Sequence, residues 1–350
     1  MHQHTTSQQR LLSNSVRLCF RSKRLPALAK FYQYVYHHGR RSHLGIAQSF
    51  ALRRIYSAVL ALHRRPALGL FDYLPGGKPI EIQFDARNTQ FHAVYLPKFA
   101  EGYEPETSVL LDAFLRESGV FWDIGSNWGY FPLYACARPE FTGEIHAFEP
   151  TPSSFRDLAS VVKQAGLSER VHCHQLALGD VNGTSCMAVP DGVHSGLASL
   201  DANASGERVK VMTADSMDLP DPSVIKLDVE GHEAAVLRGA QKVLNRAKPV
   251  IIMENWAADS VSSLEPLRLL ESLGYHLYQP AWAFEQNGVR CLMQTSKLPR
   301  DHRRLGLALV PMPSEERNLR REYANLLALP ASHESATSRG GLLPEEQFVG

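Results

Sequence analysis

The sequence predicts an α/β protein built on a doubly wound, mostly parallel sheet, and three observations predict it. Short β-branched and aromatic runs alternate with helical stretches from Val120 to about Ser296, a glycine-punctuated loop follows the first run, and an acid ends the second. Such alternation is the pattern of parallel strands joined by crossover helices that cover both faces of the sheet.

The strand-like runs are Val120–Asp123, Glu144–Phe148, Val171–Leu178, Val224–Val229 and Val250–Glu254, with helical patterns at Ser153–Ala165 and Glu233–Asn245. Leu110–Ser118 reads as a helix leading into the first strand. Upstream, Ile80–Phe84 and Gln90–Tyr95 alternate apolar and polar residues around a short polar link, which predicts a β-hairpin. The interval 184–212, with Gly192, Gly196 and Gly206, reads as one or more further hairpins. Tyr275–Tyr278 and Arg290–Gln294 are expected to close the sheet as an antiparallel pair. Glu315–Leu327 reads as a helix, and Ser332–Gly350 is expected to be disordered. The chain therefore divides into a basic helical extension (1–71), a hairpin with a lead-in helix (72–119), the main α/β domain (120–300) and a tail (301–350).

Charge is distributed unevenly along these parts. The chain has 37 Lys and Arg against 36 Asp and Glu, a net charge of +1, yet residues 1–71 hold twelve basic residues and no acid. The remaining 25 basic residues face all 36 acids, so residues 72–350 carry about −11. Within the basic part, Ile46, Phe50, Ile55, Val59 and Leu62 recur at helical spacing with Arg53 and Arg54 between them. Three roles fit this pattern. The helix packs on the main domain with its basic face in water, it lies on an anionic membrane, or it belongs to an organellar transit peptide, which usually carries more serine.

Five scattered cysteines with no Cys-x-x-Cys spacing argue for a reducing compartment and against a disulfide framework or a structural zinc site. No apolar run reaches the roughly 18 residues of a membrane span. No compact apolar segment precedes a small-residue cleavage site. A cytoplasmic protein, with peripheral membrane contact as an option, is the expectation.

The most informative stretch is Val120-Phe-Trp-Asp-Ile-Gly-Ser-Asn-Trp-Gly-Tyr130. A strand runs into Asp123, and a tight loop follows with glycines at 125 and 129. Glycine lets the backbone approach a ligand closely at a helix N-terminus. After the next strand, Phe148-Glu149-Pro150 places an acid where it can accept hydrogen bonds from both hydroxyls of a ribose. The loop lacks the G-x-G-x-x-G of nicotinamide binders, and Asp123 would repel a pyrophosphate. An acid there suits the ammonium end of S-adenosylmethionine. The plainer alternative is a glycine turn beside a salt-bridged acid.

The second stretch is Val224-Ile-Lys-Leu-Asp-Val-Glu-Gly-His-Glu233. Strand alternation puts Lys226, Asp228 and Glu230 on one face. Three ionisable groups there are costly unless paired or used. His232 follows at the strand's C-terminal end, where doubly wound sheets bind ligands. An imidazole, with an ordinary pKa of about 6.5, suits removal of a hydroxyl proton during methyl transfer. Asp228, Glu230 or Glu233 could orient it, and Lys226 could neutralise the carboxylates or lower the hydroxyl's pKa. A helix cap or surface residue is the plainer reading of His232. No metal is expected in the reaction. The residues that could ligate a divalent cation are Asp228, Glu254 and Asn255, which otherwise serve as substrate contacts or loop caps. Trp128, Trp256 and Trp282 could wall an acceptor pocket or simply belong to the core.

Together these stretches resemble the FkbM family of methyltransferases. The matching residues are Asp123-Ile-Gly-Ser-Asn-Trp-Gly129, Phe148-Glu-Pro150, Leu176-Ala-Leu-Gly-Asp180, Ile225-Lys-Leu-Asp-Val-Glu-Gly-His-Glu233 and Leu237-Arg-Gly-Ala240. Ser126 stands where the family commonly has alanine. The match spans roughly residues 120–256 and leaves the basic extension and the tail uncovered. The resemblance implies a Rossmann-like class I methyltransferase fold, S-adenosylmethionine as donor, and O-methylation of a sugar or other small-molecule hydroxyl. It places Asp123, Gly125 and Asn127 at the methionine end of the cofactor, Glu149 at the ribose, and Gln175 to Ala177 at the adenine. The candidate cofactor-binding residues are thus Asp123, Gly125, Asn127, Gly129, Glu149, Gln175 and Asp228. The candidate catalytic residues are His232, Asp228, Lys226 and Glu230.

Three rival readings remain. A nicotinamide-dependent oxidoreductase lacks its loop here. A base N-methyltransferase would carry Asn/Asp-Pro-Pro-Tyr/Phe where Asp228-Val-Glu-Gly231 stands, which leaves ribose 2′-O-methylation of RNA with the basic segment as a grip. An inactive cofactor-binding module is the third.

Overall fold

The computed structural model describes residues 11–38, 54–60, 62, 65–188, 199–200, 206–255, 264–293, 303–317 and 324–333. The chain begins with strands β1 (Leu11–Leu12) and β2 (Phe20–Arg24), helices α1 (Ala27–His38) and α2 (residues 54–60), and strands β3 (Leu68–Tyr73) and β4 (Ile80–Asp85). Short α3 (His92–Tyr95) and longer α4 (Pro105–Phe114) lead to β5 (Phe121–Ile124), α5 (Tyr130–Cys136), β6 (Ile145–Phe148), α6 (Pro152–Gln164) and β7 (Val171–His174). Four small strands follow: β8 (Ala177–Leu178), β9 (Gly183–Ala188), β10 (Ser199–Leu200) and β11 (Glu207–Met212). Then come β12 (Val224–Leu227), α7 (Glu233–Arg238), α8 (Gln241–Ala247), β13 (Val250–Asn255) and α9 (Glu265–Ser272). The chain ends in β14 (Tyr275–Gln286), β15 (Val289–Met293), β16 (Arg303–Pro311), α10 (Ser314–Arg317) and β17 (Ala324–Pro330).

The central sheet runs β1-β16-β14-β17-β13-β12-β5-β6-β7, with β15 hairpinned onto β14. Its middle, β13-β12-β5-β6-β7, is parallel throughout. The order reverses between β5 and β12. The chain first winds outward from β5 to β7, then returns and winds the other way through β12 and β13. Ligands of doubly wound sheets sit outside the strand ends at this switch point.

Two-residue periodicity divides the core between the two faces of the sheet. Phe121, Ile145, Val224 and Ile252 face α5 and α6, packing with Leu133 and Val161. Trp122, Phe148, Ile225 and Met253 face α7, α8 and α9, packing with Val236, Leu244 and Leu267. The three-stranded sheet β2-β3-β4 extends the first layer. There the Tyr73 hydroxyl donates to the Leu133 carbonyl at 2.9 Å, and Gln83 and Gln164 exchange bonds of 2.8 and 3.0 Å.

Several expectations need correction. Ile80–Phe84 is a strand, but its partner is β3, and Gln90–Tyr95 is helical rather than extended. The Asn88 side chain accepts from the Gln90 N–H at 3.0 Å, which starts a helical turn there. The expected strand Val171–Leu178 splits at His174, and β8 joins β11 in a separate four-stranded sheet. In that sheet β9 and β11 form the antiparallel pair expected within 184–212, while Gly192 and Gly196 lie outside the described residues. The expected helix Glu233–Asn245 breaks at Gly239. A Cβ there would lie 1.9 Å from the Gly179 carbonyl oxygen, so the chain approaches too closely for any side chain.

Among the described residues of Glu315–Leu327, only 315–317, at the end of α10, are helical. β17 instead slots antiparallel between β13 and β14, and the two flanking strand edges override the helical propensity of its Ala and Leu residues. The antiparallel pair expected of Tyr275–Tyr278 and Arg290–Gln294 is present as β14 and β15, but β15 pairs with Trp282–Gln286 of β14, while Tyr275–Tyr278 pair with β17. Residues 1–71 are not a helical extension alone. β1 pairs with β16 at the far edge of the central sheet and β2 pairs with β3, so strands from this segment enter two sheets. Residues 39–53, which hold much of the expected helix, and residues 334–350 lie outside the described part.

Candidate active site

A cavity of about 310 Å³ opens at the switch point, over the C-terminal ends of β5, β6 and β12. Its wall includes the 124–128 loop, Phe148 to Thr151, Leu176 to Leu178, Lys226, Asp228 to Glu230, His232 and Glu254. That size falls within the roughly 300–1,000 Å³ of small-molecule sites.

The first half of the wall is shaped by backbone. The Gly125 and Ser126 N–H groups donate to the Phe148 carbonyl at 3.0 Å, pinning the loop across the end of β6. Gly125 has φ +87, and a Cβ on it would lie 1.8 Å from the Asp228 carbonyl oxygen. No other residue fits there. Glu149 is buried and accepts from the Asn127 N–H at 2.9 Å and the Thr151 N–H at 2.8 Å. The two N–H groups reach different oxygens, and a carboxylate has about four lone-pair sites, so room for a ligand's donors remains. Burial pushes the Glu149 carboxyl up to about 7, against those two N–H donors and the Thr151 side chain. Asn127 has φ +47, and its Oδ1 accepts from Asn88 Nδ2 at 3.0 Å.

The second half is shaped by charged side chains. Lys226 Nζ bonds Asp228 Oδ2 at 2.9 Å and sits 4.9 Å from the centre of the Phe131 ring. Burial alone would lower the lysine's pKa, but Asp228, Asp123 and Glu104 outweigh it and hold it above the ordinary value. Burial likewise works against charge on Asp228, yet Lys226 and a hydrogen bond with Glu254 keep its pKa low. Glu104 is pushed up to about 6 by burial, opposed by Lys226. Glu230 is pushed up to about 7 by burial and by Asp228 and Glu233. Among the described residues five non-glycine residues adopt left-handed φ, and Glu104, Asn127 and Glu230 of this wall are three of them. Such strain persists where the surroundings over-determine it, which happens often at functional sites.

The structure thus brings together Gly125, Asn127, Glu149, Lys226, Asp228, Glu230 and His232 in one wall. Three expected residues stand apart. Asp123 is fully buried beneath the loop and does not line the cavity; it is the register partner of Lys226 on the adjacent strand. Gly129 begins α5 behind the wall. Gln175 is exposed. The Glu149 and Leu176 N–H groups both donate to the His174 carbonyl, and the chain turns there so that Leu176, Ala177 and Leu178 face the cavity instead. Glu230 arrives by a left-handed turn after the strand ends at Leu227, not by strand alternation. His232 lines the cavity from the N-cap position of α7, with no side-chain cap bond to the helix, whereas the Glu233 carboxylate accepts from the Gly231 N–H at 3.1 Å and stays with the turn.

The oxygen cluster differs from the expected one. Carboxylate oxygens of Asp228, Glu230 and Glu254 lie within 4.8 Å of one another. Asn255 is not part of the group, because Arg317, itself buried, donates to its Oδ1 and its carbonyl at 2.8 Å. Of the tryptophans, Trp128 touches the cavity but is buried against Phe91, with ring centres 4.6 Å apart. Trp282 is core, and Trp256 lies outside the described residues. Sequence reasoning missed Gln90, Tyr103, Glu104 and Met187, all in the wall. The acid before Pro105 was the sole visible signal among them.

A methyltransferase FkbM domain model matches residues 123–277. The hexuronic acid methyltransferase AglP of Haloferax volcanii is 30% identical over 150 residues, 39% of this chain and 56% of its own length. This chain therefore spans little more than half of that relative. The crystal structure of methyltransferase FkbM from Methylobacillus flagellatus is 19% identical, covering 55% of this chain and 44% of that one with a TM-score of 0.36. Precorrin-6y C5,15-methyltransferase from Geobacter metallireducens is 14% identical, covering 67% and 92% with a TM-score of 0.34. The strand order around the switch point is that of the expected Rossmann-like class I methyltransferase fold. Residues 123–277 thus match the methyltransferase FkbM domain, the family that the sequence motifs resemble.

Proposed function

We propose that this chain transfers a methyl group from S-adenosylmethionine to an uncharged hydroxyl of a sugar or similar small molecule, with His232 as general base. The observation that carries the reading is Glu149, a buried acid whose two oxygens are oriented by backbone N–H groups beside a loop that only glycine can form. That arrangement fits the ribose of a nucleoside cofactor, and the apolar Leu176, Ala177 and Leu178 fit its base.

The cofactor supplies an electrophilic methyl group on a sulfonium. The protein's part is to hold an acceptor oxygen in line with it, exclude water and take the proton. His232, at the start of α7 and in the wall, is placed to accept that proton. Lys226, held by Asp228, is placed to steady negative charge developing on the acceptor oxygen.

AglP acts, by its name, on a hexuronic acid, which supports a sugar acceptor. Around Lys226, however, stand Glu104, Asp228, Glu230 and Glu254, and one of the three donors of its ammonium is taken by Asp228. An acceptor bearing a carboxylate or phosphates would meet like charge there. This favours a neutral sugar hydroxyl over a uronate and counts against RNA.

The test is turnover and cofactor affinity of His232→Ala on acceptors found in a panel of neutral hexosides and hexuronides. The expected result is normal cofactor affinity, turnover lower by about 10²–10⁴-fold, and preference for neutral sugars. Unchanged turnover would remove His232 from the chemistry. Cofactor binding with no turnover on any acceptor would favour an inactive binding module.

A further inference from the structure

Helix α2 is apolar on two faces. Tyr56 and Leu60 are buried, and the Tyr56 ring packs on Tyr32 and Phe31 of α1 at 4.6 and 6.1 Å between ring centres. Ile55, Val59 and Leu62, at the i, i+4 and i+7 positions of one stripe, stand in solvent at 51, 39 and 81% exposure. Scattered exposed apolar residues need no explanation, but these are concentrated. Of the eight exposed large hydrophobic residues among the described ones, six (Leu18, Tyr34, Ile55, Val59, Leu62 and Leu68) fall before residue 72. The same segment holds twelve Lys and Arg and no acid, with Arg54 opening α2 and Arg53, Arg64 and Arg65 next to it in sequence.

From this coincidence of an exposed apolar stripe with an acid-free, arginine-rich segment, we infer that α2 docks on an anionic lipid bilayer. Apolar side chains enter the acyl boundary while arginines meet the headgroups, the arrangement of interfacial helices that lie on a membrane without crossing it. No helix among the described residues is long and apolar enough to cross. The surface is firmly coupled to the catalytic domain. Tyr32 stacks on His92 at 3.9 Å, and Gln33 Nε2 donates to the Tyr95 carbonyl at 2.7 Å. The segment they hold carries Asn88, which bonds Asn127, and Gln90, which lines the cavity. Docking through α2 would set the cavity rim at a defined height above the lipid. An acidic protein partner would be drawn by the same charge, but it gives no reason for a stripe of purely aliphatic side chains.

The test is flotation of the full chain with vesicles of phosphatidylcholine alone and of phosphatidylcholine with phosphatidylglycerol. The protein is expected to float with the anionic vesicles, not the neutral ones, and to be released progressively by salt. Leu62→Asp, at a side chain already in water, should leave the melting temperature unchanged and weaken partition about tenfold or more. Absence of flotation by folded protein at low salt would overturn the proposal. So would unaltered flotation of Ile55→Asp/Leu62→Asp, or a concentration-dependent dimer that Leu62→Asp dissolves. None of these readouts depends on methyl transfer.

Discussion

The two ends of the cavity are built by different means. At the Glu149 end the determinants are backbone: a loop pinned to the Phe148 carbonyl, a glycine with no room for a Cβ, and a carboxylate held by two N–H groups. At the Lys226 end they are side chains from distant parts of the chain. Tyr103 and Glu104 precede α4, Lys226 is on β12, Glu230 and His232 follow it, and Glu254 ends β13. The first end is set by chain geometry, with Glu149 as its one ionisable group. The second is a balance of one ammonium against several acids in a poorly solvated place, and removing one member upsets the rest.

That contrast is broken most directly at Lys226. Lys226→Met leaves Asp228, Asp123 and Glu104 without their shared cation, and loss of one partner of a buried ion pair costs about 3–5 kcal/mol. Urea denaturation should show a loss of that order, with cofactor affinity in the still-folded protein changed far less. A variant as stable as the parent would mean that the acids neutralise themselves by protonation and that the lysine is not their keystone.

A smaller effect separates the ends by pH. Glu149 is pushed up to about 7 by burial, and ribose hydroxyls would donate best to its ionised form. Ligand binding therefore favours the deprotonated carboxylate, so affinity should rise with pH through about 7 and flatten above it. Glu149→Gln should bind more weakly, by about 1.5–3 kcal/mol for a lost hydrogen bond to charge, and show no such rise. A pH slope that survives the substitution would assign the titration to another group.

The smallest expected effect lies away from the cavity. His146 Nδ1 and His174 Nε2 are 3.0 Å apart at the sheet edge, and His174 stacks on Phe148. Burial, with His146 and His172 nearby, pushes the His174 pKa down to about 4. Between its ordinary value of about 6.5 and that level the unfolded chain binds more protons, so stability falls as pH falls across this window. The raised carboxylates act with the opposite sign but are common to parent and variant. His174→Phe should therefore lose less melting temperature than the parent between neutral pH and pH 4, and parallel curves would show that the imidazole does not contribute.

The same contrast decides what was legible in the sequence. Gly125, Asn127 and Glu149 could be found because backbone geometry leaves local traces: glycines at fixed offsets and an acid just past a strand. Lys226, Asp228 and His232 were visible because they share one short stretch. Tyr103, Glu104 and Met187 were not, since only the tertiary fold brings them to the wall and no spacing announces it. Gln175 failed because a single turn at His174 rotates the chain by one residue, and Leu176 takes the place expected of it. In the fold, the parallel core followed from apolar periodicity. β17 was misread as helix because Ala and Leu favour helix locally, and only the gap between β13 and β14 makes them a strand.

The central claim is that the Glu149 end binds a nucleoside cofactor, and calorimetric titration of the purified chain tests it most directly. Saturable binding of S-adenosylmethionine and its demethylated product, with none of NADH, is the predicted result. Folded protein that binds neither methionine-derived ligand, or binds NADH in their place, would contradict the account, and the assignments at both ends of the cavity would fall with it.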